Sequence, residues 1–420
     1  MRTPATLVTI GLLTCAVAQP AAAAPPKGAC SNPEPGRPVI KQLPWAQDLL
    51  GVERVWPQTN GARVTVAVVD SGVDADNPQL RGRVLAGQDF HHHGKLPGSY
   101  DCVSHGTSVA GIIAATPTSG IGFHGIAPGA TILPVRVTDR EANEGEAART
   151  IDPNVLARGI VYAVDQGARV INLSLSGSAD RKVIREAIAY AVGSDVVVVA
   201  AAGNRQTNGA DSTPSYPAEY PGVLGVGAIG IDGARVNGSQ TGSYVDIVAP
   251  GGDVLSTTRV SGHNYMSGTS FAAPFVSATA ALVRSAWPEL TAEQVIQRIE
   301  ATASPARGGR ASNEYGAGVV DPYRAVTEGM LAKGAVIPAA AATPPDPQVV
   351  VARAWWRDAG SRARELTGLS LGMATIVLIL AIVLAAGRRR RWTASRAETA
   401  PRTRRRTEEP LPEHLFDRSL

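Results

Sequence analysis

Arg169-Val170-Ile171-Asn172-Leu173-Ser174-Leu175 is followed by a segment from Asp180 to Gly193 and then by Val196-Val197-Val198-Val199-Ala200, and this run decides the fold. Its first and last pieces are apolar segments of strand length that lack the strict alternation of a half-exposed strand. Between them, Val183, Ile184, Ala187, Ile188 and Ala191 recur at the spacing of one helix face. Strand, helix and second apolar strand in succession form a crossover unit. Strands apolar along both sides are buried on both faces, as in a parallel sheet covered by two helical layers.

The same alternation extends in both directions. On the N-terminal side, Asp152-Pro153 opens a helix with Asp as N-cap and Pro at the first helical position. Val155, Leu156, Ile160 and Val164 form its inner face and Gly167 its end. Before it come a strand over 130–137, an exposed polar loop over 139–150, and a glycine-rich helix start over 104–113. A β-branched strand over 64–69 precedes these and ends at Asp70-Ser71-Gly72, and a short amphipathic helix spans 45–52. On the C-terminal side, strands are expected over 223–228 and 245–251, then a helix from Ser270 to about Trp287. A further helix opens with the capping pattern Thr291-Ala292-Glu293-Gln294. The fold class is α/β, three layers around a mainly parallel sheet, with no internal repeat of fixed period.

The ends of the chain differ from this body. Residues 1–24 read as a secretory signal: Arg2, an apolar run over 7–13, and alanine-rich cleavage candidates after Ala18 or within 21–24. Residues 25–44 form a Pro- and Gly-rich arm in which Cys30 is the one obvious anchor, and 45–330 is the folded domain. Residues 331–365 are an Ala/Pro-rich spacer and juxtamembrane segment. Residues 366–387 carry no charge and are long enough as a helix to cross the roughly 30 Å hydrocarbon core. Arg388 to Arg391 and Trp392 follow at once, marking the cytoplasmic flank. The expected topology is a single pass through the plasma membrane, with the domain outside and the tail 388–420 inside.

Charge follows the same division. The whole chain carries +4, but the tail from Arg388 holds ten Arg against four Glu and one Asp, which leaves the other residues near −1. That balance argues against a nucleic-acid-binding domain, for which a basic face is expected.

Once the signal is removed, Cys30 and Cys102 are the remaining cysteines of an exported chain. One disulfide is the natural reading in an oxidising compartment, with two unrelated thiols as the alternative. Closing a loop of this size stabilises a fold by roughly 4 kcal/mol in the chain-entropy description.

Four polar residues then stand out at element ends: Asp70 after a strand, His105 opening a helix, Asn204 in Ala201-Ala202-Gly203-Asn204 after another strand, and Ser270 opening a second helix. Singly, each fits a turn or a cap. Together they are the parts of nucleophilic acyl transfer. Ser270 attacks, His105 takes its proton, and Asp70 orients the imidazole and stabilises its charge. The Asn204 amide and the Ser270 backbone N–H receive the oxyanion.

The motifs resemble those of the subtilisin-like serine proteases: Val68-Val69-Asp70-Ser71-Gly72-Val73-Asp74, His105-Gly106-Thr107-Ser108-Val109-Ala110-Gly111, Gly125-Ile126-Ala127-Pro128, Ala201-Ala202-Gly203-Asn204 and Gly268-Thr269-Ser270-Phe271-Ala272-Ala273-Pro274. They lie in order across about 45–327 and imply a subtilisin-like three-layer fold. The signal, the cysteine in Asp101-Cys102-Val103-Ser104-His105-Gly106, the spacer, the single span and the short tail make the chain similar to the mycosins, membrane-anchored subtilases of type VII secretion systems. That resemblance implies Asp70, His105 and Ser270 as the triad and Asn204 as oxyanion donor. It also implies substrate backbone pairing along Ser174, Leu175, Ser176 and Gly177, and no cofactor. Ser176 replaces a glycine common in the family, which alters the adjacent specificity pocket, and Phe275 stands where many relatives have His. The arm resembles the mycosin N-terminal arm that wraps the domain, and a Cys30–Cys102 bond pins it three residues from His105.

His91-His92-His93 reads as a solvated loop, since neighbouring side chains in irregular backbone diverge, and no metal site is expected. Asp74 and Asp76 fall short of the roughly six to eight oxygens calcium takes and read as a solvated turn. The expected partners are exported protein substrates, components of a type VII secretion membrane complex, and the membrane itself. The leading function is an anchored serine endopeptidase. The alternative is a structural subunit of the secretion complex with proteolysis secondary; a secreted degradative subtilase is disfavoured by the anchor.

Overall fold

The computed structural model describes residues 25–329 except 27, 93–95, 140–150, 207–211, 308 and 310–311, together with Leu384 and Ala385. The chain divides into two units, 1–339 and 340–420. Of the second, Leu384 and Ala385 are described and are helical. No helix among the described residues is long and apolar enough to cross a membrane. The expected signal, spacer and tail lie outside the described residues, as does the expected span 366–387 apart from those two residues.

In chain order the first unit contains α1 (Trp45–Leu50), a single 3-10 turn (Val52–Arg54), β1 (Thr65–Asp70), β2 (Gln88–Asp89), α2 (His105–Ala114) and β3 (Thr131–Arg136). Then follow α3 (Pro153–Asp165), β4 (Val170–Leu173), α4 (Lys182–Gly193), β5 (Val197–Ala201), β6 (Val223–Ile229) and β7 (Ile247–Pro250). The hairpin β8 (Val254–Thr257) and β9 (His263–Met266) precedes α5 (Thr269–Ala286), α6 (Ala292–Ala301) and α7 (Pro322–Thr327). The main sheet has the order β2-β3-β1-β4-β5-β6-β7. Each adjacent pair in it is parallel.

Strand periodicity sends alternate residues of each apolar run to opposite faces. On one side Val66 and Val68 of β1, Val197, Val199 and Ala201 of β5, and Val226 of β6 pack with α2, α5 and α6 through Ile112, Phe275, Val276 and Ile299. On the other, Ala67, Val69, Ile171, Val198 and Ala200 pack with α3 and α4 through Leu156, Ile160 and Ile188. The two helical layers explain why the strands read as unbroken apolar runs. Helix α5 is buried around its whole circumference as far as Arg284, the condition in which an all-round apolar helix is stable. Phe275 is fully buried in that apolar layer; a histidine there would place a polar ring in the core.

Capping follows the sequence closely. The Asp152 side chain accepts the Asn154 N–H with Pro153 at the helix start. Both halves of the Thr291/Gln294 capping box are formed. Helix α4 begins later than expected, at Lys182, because Asp180 pairs with Arg185 at 2.6 Å and accepts from Tyr220 Oη at 3.0 Å. The short β2 and the hairpin β8–β9 lie outside the sequence expectation, since neither carries a long apolar run.

The arm has more anchors than Cys30. The Cys30–Cys102 disulfide is formed, with Cα atoms 5.6 Å apart. Glu34 N–H donates to the Cys102 carbonyl at 3.0 Å and Arg37 N–H to the Ser261 carbonyl at 2.9 Å. His263 N–H donates to the Pro38 carbonyl at 3.1 Å, Gly122 N–H to the Lys41 carbonyl at 2.8 Å, and Ile40 N–H to His263 Nδ1 at 3.0 Å. The arm thus runs against the turn of β8–β9.

Candidate active site

In open parallel sheets, ligands are met at the carboxyl ends of strands, near the point where strand order reverses. Strand β1, flanked by β3 and β4, occupies that place, and Asp70 is its last residue. Asp70 Oδ1 lies 2.7 Å from His105 Nδ1 and accepts the Ser71 N–H at 2.6 Å, and both side chains are buried. A carboxylate can only accept, so Nδ1 carries the proton and Nε2 is left with the lone pair of a general base. Helix α2 can start this close to β1 because residue 106 is glycine: a Cβ there would come 2.1 Å from the Gly72 carbonyl oxygen and 3.2 Å from Asp70 Cβ.

Ser270 sits in the first turn of α5. The rings of His105 and Phe271, the residue after Ser270, are 5.1 Å apart between centroids, which brings the imidazole beside that turn. Ser270 Oγ donates to the Ser174 carbonyl at 3.1 Å, a resting position from which rotation about χ1 moves the hydroxyl. Pro274 lies inside α5 and lacks an N–H, so the Ser270 carbonyl loses its normal helical donor. Ser174 Oγ supplies the replacement at 2.6 Å. Ser174 is held in turn by Asn172 Nδ2 at 2.8 Å, and Ser277 Oγ donates to Asn172 Oδ1 at 2.8 Å. A buried polar chain therefore ties the end of β4 to α5, and strand β4 stops at Leu173 where it begins.

Two donors close to Ser270 have no acceptor among the described residues. The first N–H groups of a helix have no intrahelical acceptor. Here Thr269 N–H is taken by Asn204 Oδ1 at 2.8 Å and Phe271 N–H by the Gly268 carbonyl at 3.1 Å, which leaves the Ser270 N–H. Asn204 Oδ1 also accepts from Thr269 Oγ1 at 3.0 Å. With its oxygen thus engaged, the amide presents Nδ2 as a donor. Gly268, at φ 134°, makes the bend that brings Thr269 and Asn204 together.

Sequence reasoning missed the residues that brace this arrangement: Asn172, Ser277, Thr269 and Asp101. Asp101 is fully buried behind Asp70. It accepts from Ser71 Oγ at 3.0 Å, Thr107 Oγ1 at 2.7 Å, and the N–H groups of Thr107 at 2.9 Å and Val103 at 3.0 Å. Burial pushes its carboxyl up to about 6, with the nearby Asp70 charge adding to the rise and the hydrogen bonds opposing it. Asp101 therefore joins the turn after β1 to the first turn of α2, the two pieces that bear Asp70 and His105. Its neighbours in Asp101-Cys102-Val103-Ser104 were the only hint in the sequence.

The expected substrate segment continues past the end of β4. Ser174 is buried, Leu175 half-buried and Ser176 exposed. Gly177 pairs with Tyr216 through two hydrogen bonds of 2.8 Å, while among the described residues the backbone groups of Leu175 and Ser176 have no hydrogen-bond partner. Ser176 Oγ stands 3.1 Å from where a Cβ of Gly203 would lie.

Two loop expectations need correction. Asp74 is a buried clamp rather than a solvated turn, accepting the N–H groups of Val260 at 2.6 Å and Asp76 at 3.1 Å. The rings of His91 and His92 do not diverge. Their centroids are 4.8 Å apart and both approach Asp139.

The family model for the subtilase family matches residues 61–318. Thermitase of Thermoactinomyces vulgaris is 35% identical over 292 residues, which cover 70% of this chain and 99% of thermitase. Among solved structures, MycP1 from Mycobacterium smegmatis superposes with a TM-score of 0.61 at 33% identity, covering 71% of this chain and 91% of that one. MycP3, described as a protease from the type VII (ESX-3) secretion system, gives a TM-score of 0.60 at 35% identity, covering 72% and 97%.

Proposed function

The chain belongs to the subtilase family as a subtilisin-like serine endopeptidase, and from that premise we propose that Asp70, His105 and Ser270 perform the hydrolysis outside the plasma membrane. The observation that carries the assignment is the buried 2.7 Å pair of Asp70 with His105 set beside the first turn of α5. Ser270 Oγ leaves the Ser174 carbonyl, gives its proton to His105 Nε2 and attacks the scissile carbonyl carbon. The resulting oxyanion is met by Ser270 N–H and Asn204 Nδ2, a contribution on the order of 10²–10³ in rate per donor. His105 then protonates the leaving amine, and water repeats the sequence to release the acyl group. The backbone of Leu175 and Ser176, without a partner among the described residues, receives an extended peptide as an added strand. Ser176, reaching toward Gly203, narrows the adjacent pocket and favours small side chains at the residue before the cleaved bond.

The segment 366–387 anchors this domain, with the arm and domain outside and the tail 388–420 inside. Together with the similarity to MycP1 and MycP3, that layout supports a mycosin-type role in type VII secretion, acting on exported proteins. The test compares Ser270→Ala with deletion of the whole chain in cells while cleavage and export of secreted proteins are followed. Loss of specific cleavages in Ser270→Ala supports the peptidase role in secretion. Export that survives Ser270→Ala but fails on deletion assigns the secretion phenotype to a structural role, and cleavages unaltered in both remove the secretion substrates from this reading.

A further inference from the structure

We propose that His91, His92 and Asp139 form a binding site for one transition-metal dication of the zinc class, at the carboxyl ends of the neighbouring strands β2 and β3. His91 Nε2 lies 3.2 Å and His92 Nε2 3.8 Å from Asp139 Oδ2, and the three ligand atoms fall within 4.8 Å of one another. A tetrahedral zinc with bonds of roughly 2.0–2.1 Å spaces its nitrogen and oxygen ligands about 3.4 Å apart. Small shifts in exposed side chains close the difference. Each of the three side chains is about one-third exposed, which leaves them accessible to an ion from solvent.

The second observation is the support beneath the site. Asp89 is fully buried, and its Oδ1 accepts the backbone N–H groups of both His91 at 2.7 Å and His92 at 3.0 Å. One carboxylate oxygen thus folds two consecutive histidines into a turn that brings their rings together. Asp89 Oδ2 lies 3.1 Å from His92 Nδ1. A proton on Nδ1 donated to that oxygen leaves Nε2 as the metal-facing atom, the carboxylate–imidazole–metal relay that orients many histidine ligands. Tyr100 Oη, donating to Asp89 Oδ2 at 2.6 Å, fixes the carboxylate from the other side.

Charge balance points the same way. Arg136 is fully buried between Asp89, at 3.0 Å from Nη1, and Asp139, which its Nη2 contacts. Among the described residues one guanidinium faces two carboxylates, so with both imidazoles neutral these groups carry one excess negative charge. A metal dication satisfies it, and so does a proton on an imidazole. Arg136 Nη1 also lies 2.9 Å from His92 Nδ1, a contact that suits the opposite tautomer. Metal at Nε2 selects the Nδ1–H form and leaves Nη1 to Asp89.

The test uses the untagged full chain, stripped with chelator and titrated with Zn2+ and Co2+ by calorimetry, with Tm and visible absorption followed in parallel. The expected results are one equivalent bound, the absorption of tetrahedral Co2+, and a Tm rise of about 5 °C at a hundredfold excess over Kd. His92→Gln and Asp139→Asn should each weaken binding about 10- to 100-fold. His124→Gln, at an imidazole paired with Glu53, should leave it unchanged. Absence of a metal-dependent Tm change overturns the assignment, and so does binding retained in both variants. A His92-dependent Tm rise on acidification with no response to metal also overturns it, because the proton is then the balancing charge.

Discussion

Two carboxylate–imidazole pairs at strand ends, Asp70–His105 and Asp89–His92, differ in everything except the pair itself. Asp70 and His105 are 2.7 Å apart, both buried. Behind them stands neutralisable Asp101, and beside them lies the first turn of α5. Asp89 and His92 are 3.1 Å apart, with the carboxylate buried and the imidazole partly in solvent. Beside them lies the buried guanidinium of Arg136. In the first pair the carboxylate serves its histidine, whose ring lies beside the turn that bears Ser270. In the second the carboxylate serves an arginine, a tyrosine and a backbone turn before it serves its histidine. The residue types are the same, and the neighbours are what assign proton transfer to the first pair in the proposed mechanism and a structural task to the second.

The sharpest way to break that comparison is to neutralise each carboxylate. Asp70→Asn should leave the fold intact and lower kcat on a peptide substrate by about 10⁴, because the imidazole loses the partner that fixes its tautomer. An unchanged kcat would erase the functional difference between the pairs. Asp89→Asn should do the reverse. It strands a buried arginine beside a weaker partner, which costs roughly 3–5 kcal/mol of stability, read as a lower midpoint in denaturant. Turnover per folded molecule should stay near the wild-type value. Asn204→Ala should lower kcat by about 10²–10³ with little change in KM, since its donor acts on charge that develops in the transition state. A selective rise in KM would instead make Asn204 a ground-state contact.

The smallest effect concerns a third histidine with no carboxylate. His263 is buried, its Nδ1 accepts the Ile40 N–H at 3.0 Å, and its Nε2 lies 2.7 Å from Gln79 Oε1. Burial lowers its pKa to about 4. The folded state therefore favours the neutral ring. Its contribution is present above the ordinary value near 6.5 and is lost as pH falls through about 4. Protonating Nδ1 displaces the Ile40 donor, so acidification should speed hydrogen exchange at Ile40 before the central strands exchange. His263→Gln should remove most of that pH dependence.

Much of the first pair was legible in the sequence and little of the second. Asp70, His105, Asn204 and Ser270 each close or open an apolar element, and acyl transfer restricts the residue types there, so the motif and its local structure could be read together. The disulfide was legible because Cys30 and Cys102 are the only cysteines after residue 24, where the signal was expected to end. Asn172 and Ser277, 105 residues apart, were not. An isolated Asn in a strand and Ser in a helix have no local signature, and their value comes from a carbonyl that Pro274 deprives of its donor. His91 and His92 read as divergent because the turn that joins them is made by Asp89 and completed by Asp139 from another strand. The hairpin β8–β9 escaped because neither strand carries a long apolar run and its partners are far off in the chain, with Ser256 and Thr257 bonded to the α2 carbonyls of Ser108 and Thr107 and His263 to the arm.

The central claim is that the Asp70–His105 pair activates Ser270, and labelling of the purified full chain by a serine-directed fluorophosphonate tests it most directly. The account predicts one label per chain, on the peptide containing Ser270. Labelling should be abolished in Ser270→Ala, strongly slowed in His105→Ala, and unaffected in His92→Gln. A wild-type chain that is folded but takes no label, or a label that persists in Ser270→Ala, would contradict it.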